Sequence, residues 1–133
     1  MELTLEQETE IVHFLIDHCN AYAVMIFGSA AKGQMHHDSD VDVAFLAKGR
    51  MTAYECFMAA QRLSERLKRE VDLVDFTRAS TVLQAQIVST GKILYDSETV
   101  RRQAAYMVAL KAYALLNEER AEIVDSLLKR SEG

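Results

Sequence analysis

One pattern constrains this chain more than any other. An apolar run, Val24-Met25-Ile26-Phe27, stops at Gly28-Ser29; ten residues later come Asp40 and Asp42, followed by a second apolar run, Val43 to Leu46. Side chains of a strand alternate between its faces, so Asp40 and Asp42 are expected on the same side of one strand. Two carboxylates held that close repel each other, and at least one pKa rises unless a cation lies between them. All-oxygen ligation suits Mg²⁺ or Mn²⁺ better than zinc. Gly28 lets backbone approach a ligand with no Cβ in the way, Ser29 adds a hydroxyl, and the N–H groups of such a turn cradle phosphate. Phosphate on one side and cation-binding carboxylates on the other describe a site for phosphoryl or nucleotidyl transfer.

Blander readings exist for each piece. Gly-Ser alone marks a loop, and Asp38-Ser39-Asp40-Val41-Asp42 resembles a calcium loop or a solvated acidic turn. However, the apolar run begins directly after Asp42, which places both acids at a strand start. The Gly and Glu of a calcium-binding helix–loop–helix are missing at their offsets.

These residues resemble the signature of the polymerase-β-type nucleotidyltransferase superfamily, and more narrowly its minimal nucleotidyltransferases, small domains paired with a HEPN-domain protein as antitoxin and toxin. The matching residues are Gly28, Ser29, Asp40 and Asp42, with Ser39 ahead of the first aspartate; the likeness runs from about Tyr22 to Tyr95. One departure is Lys32, where members often carry Arg, so the bidentate phosphate fork of a guanidinium is absent. The resemblance implies an α+β fold, a small mixed β-sheet with flanking helices, here followed by a long C-terminal helical segment. It implies Asp40 and Asp42 as catalytic metal ligands, Gly28, Ser29, Lys32 and Ser39 around the nucleotide, Mg²⁺ (or Mn²⁺) as cofactor and ATP as co-substrate. It also implies AMP transfer to a hydroxyl, a tyrosine, of a cognate HEPN ribonuclease toxin. Two rivals are a nucleotidyltransferase acting on a small molecule such as an aminoglycoside and a non-catalytic antitoxin acting by complex formation.

A third carboxylate is expected from Val71-Asp72-Leu73-Val74-Asp75-Phe76. Alternation puts Asp72 and Asp75 on opposite faces and by itself cannot choose between them; the resemblance selects Asp72, as catalytic residue and metal ligand, and leaves Asp75 near the strand end.

With 133 residues, half of them hydrophobic, one domain is expected, with residues 1–96 as the nucleotidyltransferase domain and 97–133 as a helical extension. The net charge of −5 offers no broad basic footprint, so direct nucleic-acid binding is not expected. Cys19 and Cys56 lack metal-ligand spacing and read as reduced packing residues. The acidic start, MELTLEQETE, has no apolar leader and no stretch approaches a membrane span, so a cytoplasmic protein is expected.

Local signals place the elements. Thr4 with Gln7, and Thr52 with Glu55, form capping boxes opening helices that run to about His18 and Arg69. Cys56, Phe57, Ala60, Leu63 and Leu67 are expected on the second helix's buried face. Strands are expected at 22–27, 41–46, 71–76 and 92–95, with a helical turn over 29–32 stopped by Gly33 and a helix over 81–90 stopped by Gly91. His36 and His37 fall in the loop and are read as exposed. From Ser97, an expected N-cap, the chain is strongly helical. Unbroken, this stretch would reach roughly 50 Å, more than so small a domain can cover. A bend near Asn117 would shorten it. The stripe Tyr106, Leu110, Tyr113, Leu116, Ile123, Leu127 and Leu128 is expected in part to serve a partner or a second copy, making a homo-oligomer possible.

Overall fold

The structure, a computed structural model, describes residues 3–33 and 40–132, with side chains described through residue 130. Elements follow in the order α1 (Leu5–Cys19), β1 (Ala21–Phe27), α2 (Ser29–Lys32), β2 (Val41–Ala47), α3 (Ala53–Leu67), β3 (Val71–Asp75), a 3₁₀ turn (Phe76–Arg78), α4 (Thr81–Thr90), β4 (Lys92–Asp96) and α5 (Thr99–Glu132). The expected α+β class holds. The four strands lie in the order β3-β2-β1-β4, with β1 antiparallel to both neighbours and β2 parallel to β3.

Both capping boxes form. Thr4 Oγ1 accepts from Gln7 N while Gln7 Oε1 accepts from Thr4 N; Thr52 and Glu55 repeat the exchange. Each helix ends on a left-handed residue, Asn20 at φ 53° and Lys68 at φ 55°, which turns the chain straight into the next strand.

The central strand β1 is buried along its whole length because helices cover both faces. On one face, Ile11, Phe14 and Leu15 of α1 and Leu63 and Leu67 of α3 pack against Val24, Ile26, Val43 and Phe45. On the other, Ile87 of α4 and Ala109 of α5 join Met25, Phe27, Ala44, Leu46 and Phe76. Cys19 is buried in the first of these layers and Cys56 is half-buried beside it, its thiol donating to Leu73 O at 3.7 Å. Burial, then the neighbouring Cys56 and Asp75, push the Cys19 thiol up to about 12. It stays protonated and inert, as a packing cysteine should.

Several expectations need correction. Phe57 does not join the buried face of α3: it is 59% exposed, and Ala59 takes the inward position. β3 ends at Asp75, because the Asp75 carboxylate accepts from Thr77 N and Thr77 Oγ1 and starts a 3₁₀ turn at Phe76. Gly91 does end α4, but in extended rather than left-handed conformation. Ser97 is not the N-cap of the last helix. Its hydroxyl donates to Tyr22 O at 3.0 Å, and Glu98 O receives the first helical bond from Arg102 N.

Helix α5 is not broken at Asn117; its 34 residues are one continuous helix, about 51 Å at the α-helical rise. Ala105, Tyr106 and Ala109 pack on the sheet, and the Tyr106 ring meets that of Phe76 at 5.5 Å. From Asn117 to Arg130 every residue is exposed, including Ile123, Val124, Leu127 and Leu128. Among the described residues no helix is long and apolar enough to cross a membrane.

Candidate active site

The parallel pairing of β2 and β3 builds the site. Asp42 lies in register with Asp72, and Phe27, at the end of β1, lies in register with Asp42. Residues paired across a ladder point to the same side of the sheet, so Asp42 and Asp72 share the face covered further along by α4 and α5. Asp40 stands one residue ahead of β2, exposed, with the same parity as Asp42. The parallel register therefore makes the choice that alternation left open. Asp72 joins the first two acids, while Asp75 faces the opposite side, 8% exposed and bound to Thr77 and Arg78.

Gly28 closes the site from the β1 side. Its φ of 64° and ψ of −142° lie close to a region visited essentially by glycine alone. A Cβ placed there would run into Asp42 Oδ2. The bend thus brings bare backbone against the carboxylate and leads directly into α2, which Gly33 stops at φ 68° as expected. Ser29 opens α2 half-buried and Lys32 ends it exposed. Ser39, with His36 and His37, lies outside the described residues.

The electrostatics of the acid group are unfavourable as it stands. Burial first, then the charges of Asp72 and Asp40, push Asp42 up to about 6. This is the signature of carboxylates arranged for a cation, whose charge would reverse the shift. The donor set is all oxygen, which fits Mg²⁺ or Mn²⁺. Among the described residues no three ligands are gathered into a ready-made cage; a metal held by one or two carboxylates together with substrate phosphates requires none.

A pH dependence follows. In metal-free protein Asp42 holds its proton to about pH 6, against 3.8 for the unperturbed group. Between those values the folded state binds more protons than the unfolded chain. Stability is then greatest at the acid end of this window and falls as pH rises through it. With solvent screening of a partly exposed group the loss is about 1 kcal/mol. Melting curves from pH 4 to 7 in EDTA, with Asp42→Asn as reference, isolate this one carboxyl. The difference between the two proteins should drift against wild type with rising pH; a flat difference would contradict the strained acid cluster.

Two cavities adjoin each other along β3, the first of them reaching Asp72. One, of about 430 Å³, runs between α3 and β3 and includes Phe57, Asp72 and Arg78 in its lining. The other, of about 660 Å³, opens at the far ends of β2 and β3 between Lys48, Arg50, Arg78 and Arg101. Sequence reasoning missed both. Nothing local in the sequence brings Arg78 and Arg101 to Lys48-Gly49-Arg50.

A sheet bearing an in-register acid pair beside a glycine–serine bend defines a nucleotidyltransferase, and the chain belongs to that family: residues 9–99 match the family described as Polymerase beta, Nucleotidyltransferase. Within the family it is similar to the protein adenylyltransferase MntA of Shewanella oneidensis, 34% identical over 122 residues that cover 91% of this chain and 87% of that protein. Among solved structures it resembles a chain of a toxin–antitoxin complex crystallised with AMP-PNP, with a TM-score of 0.82, 33% identity, and coverage of 91% of this chain and 98% of that one. It also resembles a chain from the complex of tri-AMPylated Shewanella oneidensis HEPN toxin with MNT antitoxin, with a TM-score of 0.76, 30% identity, and coverage of 92% and 97%. The resemblance first carried by Gly28, Ser29, Asp40 and Asp42 is borne out at the level of the family.

Proposed function

We propose that this protein is an antitoxin that transfers AMP from ATP to a tyrosine hydroxyl of a HEPN-domain ribonuclease partner and so neutralises it. The observation that carries this reading is the acid row, Asp42 in register with Asp72 and Asp40 just ahead, set against the Gly28 bend. The likeness to a protein adenylyltransferase over most of both chains supports the protein acceptor.

The residues divide the work as follows. Asp40, Asp42 and Asp72 would hold Mg²⁺ or Mn²⁺. A divalent cation bound there would neutralise charge developing on the triphosphate and would lower the pKa of the acceptor hydroxyl. Gly28 and Ser29 present backbone N–H and hydroxyl to the phosphates, and exposed Lys32 adds a positive point charge. Asp72, at the outer strand and open to solvent, is placed to receive the proton of an incoming hydroxyl.

We divide the chain at residue 97, with residues 1–96 carrying the chemistry and 97–133 reaching outward. The apolar side chains on the exposed half of α5 are a surface for the partner. We place the reaction in the cytoplasm, where ATP and a ribonuclease target coexist.

The test is incubation with labelled ATP, Mg²⁺ and the HEPN partner, followed by mass spectrometry of the partner. AMP on a partner tyrosine is the expected result. Label on an aminoglycoside instead, or a tight complex with no label anywhere, would replace this reading by small-molecule transfer or by neutralisation through binding alone.

A further inference from the structure

Four cations meet at the opposite end of β2 from Asp42. Lys48 and Arg50 come from the turn after β2, Arg78 from the 3₁₀ turn after β3, and Arg101 from the start of α5; all four line the cavity of about 660 Å³. At about 3.3 Å per residue, the course of β2 sets Lys48 roughly 20 Å from Asp42. Like charges drawn from three separate stretches into one place repel each other, and the chain around them has a net charge of −5. Such a gathering lowers its energy when an anion joins it.

The acids beside these cations offset half of the charge. Asp75 lies 3.8 Å from Arg78, and Glu98 lies 3.7 Å from Arg101. Lys48 and Arg50 are exposed and make no ion pair among the described residues. A surplus of two positive charges therefore faces the cavity.

The backbone under the four side chains is already fixed. Lys48 N donates to Asn20 O at 3.0 Å, and Arg101 Nη2 donates to Lys48 O at 3.3 Å. The Arg101 guanidinium lies 4.5 Å from the centre of the buried Tyr22 ring, which holds its direction. The Asp75 carboxylate accepts from Thr77 N and Thr77 Oγ1 and so sets the turn that carries Arg78. An arriving ligand has little left to order.

We propose that this cavity is a second anion site, separate from the acid row, that takes a small phosphate-bearing molecule with two or more negative charges. Guanidinium forks match phosphate oxygens, and two of them stand here beside a lysine and a third arginine. The volume suits a small molecule. The cations converge on one cavity instead of running as a stripe, and a long polyanion leaving it would meet an acidic surface, so a nucleic acid is the poorer fit. A ligand bound there joins the start of α5 to the turns after β2 and β3, and it stabilises the folded chain by mass action. The site owes nothing to the AMP-transfer reading, and loss of that reading leaves it standing.

The experiment uses the full-length protein in EDTA, with ionic strength held constant by sodium chloride. Inorganic phosphate, pyrophosphate and AMP are the probes. Without metal the acid row repels anions, so none is drawn to it. Amide ¹⁵N–¹H spectra locate each probe, and melting curves measure its effect. Saturable shifts are expected at Lys48, Gly49, Arg50, Thr77, Arg78 and Arg101, with a melting temperature that rises with probe concentration. The double variant Lys48→Gln with Arg50→Gln should bind at least tenfold more weakly, because it removes two charge-assisted contacts. Its probe-free melt should match wild type; if it melts lower, Arg50→Glu alone makes the comparison. Tighter binding of pyrophosphate than of AMP assigns the site to inorganic phosphates, the reverse order assigns it to phosphate esters, and either supports the proposal. Shifts confined to residues 28–32, no saturation by any probe, or equal affinity in the variant would overturn it. Oligoadenylate RNA or a glutamate-rich peptide binding at least tenfold more tightly than all three probes would give the cavity to a macromolecule and overturn it as well.

Discussion

Asp42→Asn should lower the rate of AMP transfer by about a thousandfold, which is about 4 kcal/mol of transition-state stabilisation, while the metal-free protein melts no lower than wild type. The two effects have one cause. Asp42 is desolvated and lies beside Asp72 and Asp40, so its charge is disfavoured until a cation joins it. Asparagine removes that charge, relieving the repulsion, and it also removes the ligand. A gain of about 1 kcal/mol would raise the melting temperature of a chain this size by roughly 3–5 °C. A core residue would behave in the opposite way, losing stability and activity together. Initial rates with labelled ATP, beside melts in EDTA and in Mg²⁺, separate the cases. Wild type should gain stability from Mg²⁺, and the variant much less. Full activity in Asp42→Asn, or a large drop in its metal-free melting temperature, would contradict the role given to this acid.

The second large effect is expected at a residue with no functional group at all. Gly28→Ala should cost about 1–3 kcal/mol of stability, because alanine strains at this φ and ψ. It should also reduce transfer about a hundredfold. The new methyl group would clash with Asp42 Oδ2, so either the carboxylate turns away or β1 and β2 shift at their ends. A displacement of about 1 Å at a reacting centre is enough for a loss of that size. Gly49 serves as control. Nothing lies within 4 Å of a Cβ placed there, and Gly49→Ala should leave the melting temperature unchanged. Gly28→Ala with wild-type rate and stability would show that the bend is not what holds the acid row.

The role of Gly28 was only half legible from the chain. Its position after an apolar run announced a turn near a ligand. That its missing side chain makes room for Asp42, rather than for substrate alone, appears only when β1 and β2 pair with Phe27 opposite Asp42. The same holds for the third acid. Asp72 and Asp75 are equivalent to a reader of alternation, and the resemblance chose between them. The structure supplies the physical reason, because parallel pairing sets Asp72 beside Asp42 and turns Asp75 under the sheet to cap the 3₁₀ turn.

Some errors share a cause as well. Phe57 reads as core because it is aromatic, and it lies close to the apolar stripe of α3; its exposure goes with β3 being the outer strand of the sheet. Ser97 reads as a cap because serine usually is one, but its hydroxyl is taken by Tyr22 O, 75 positions away along the chain. The four residues 117–120 read as a bend because they interrupt an apolar period. A helix that has already left its core has no period to keep, and α5 continues unbroken through them.

Taken alone, the sequence determined whatever depends on neighbours along the chain: the two capping boxes, the strands with their same-sided acids, and the stop at Gly33. These are decided by hydrogen bonds and dihedral preferences reaching no further than four residues. Strand order, the parallel register that gathers Asp42 with Asp72, and the meeting of Lys48 and Arg50 with Arg78 and Arg101 belong to the tertiary structure. Those depend on which apolar faces bury one another, a competition settled by the whole chain at once and written in no single stretch of it.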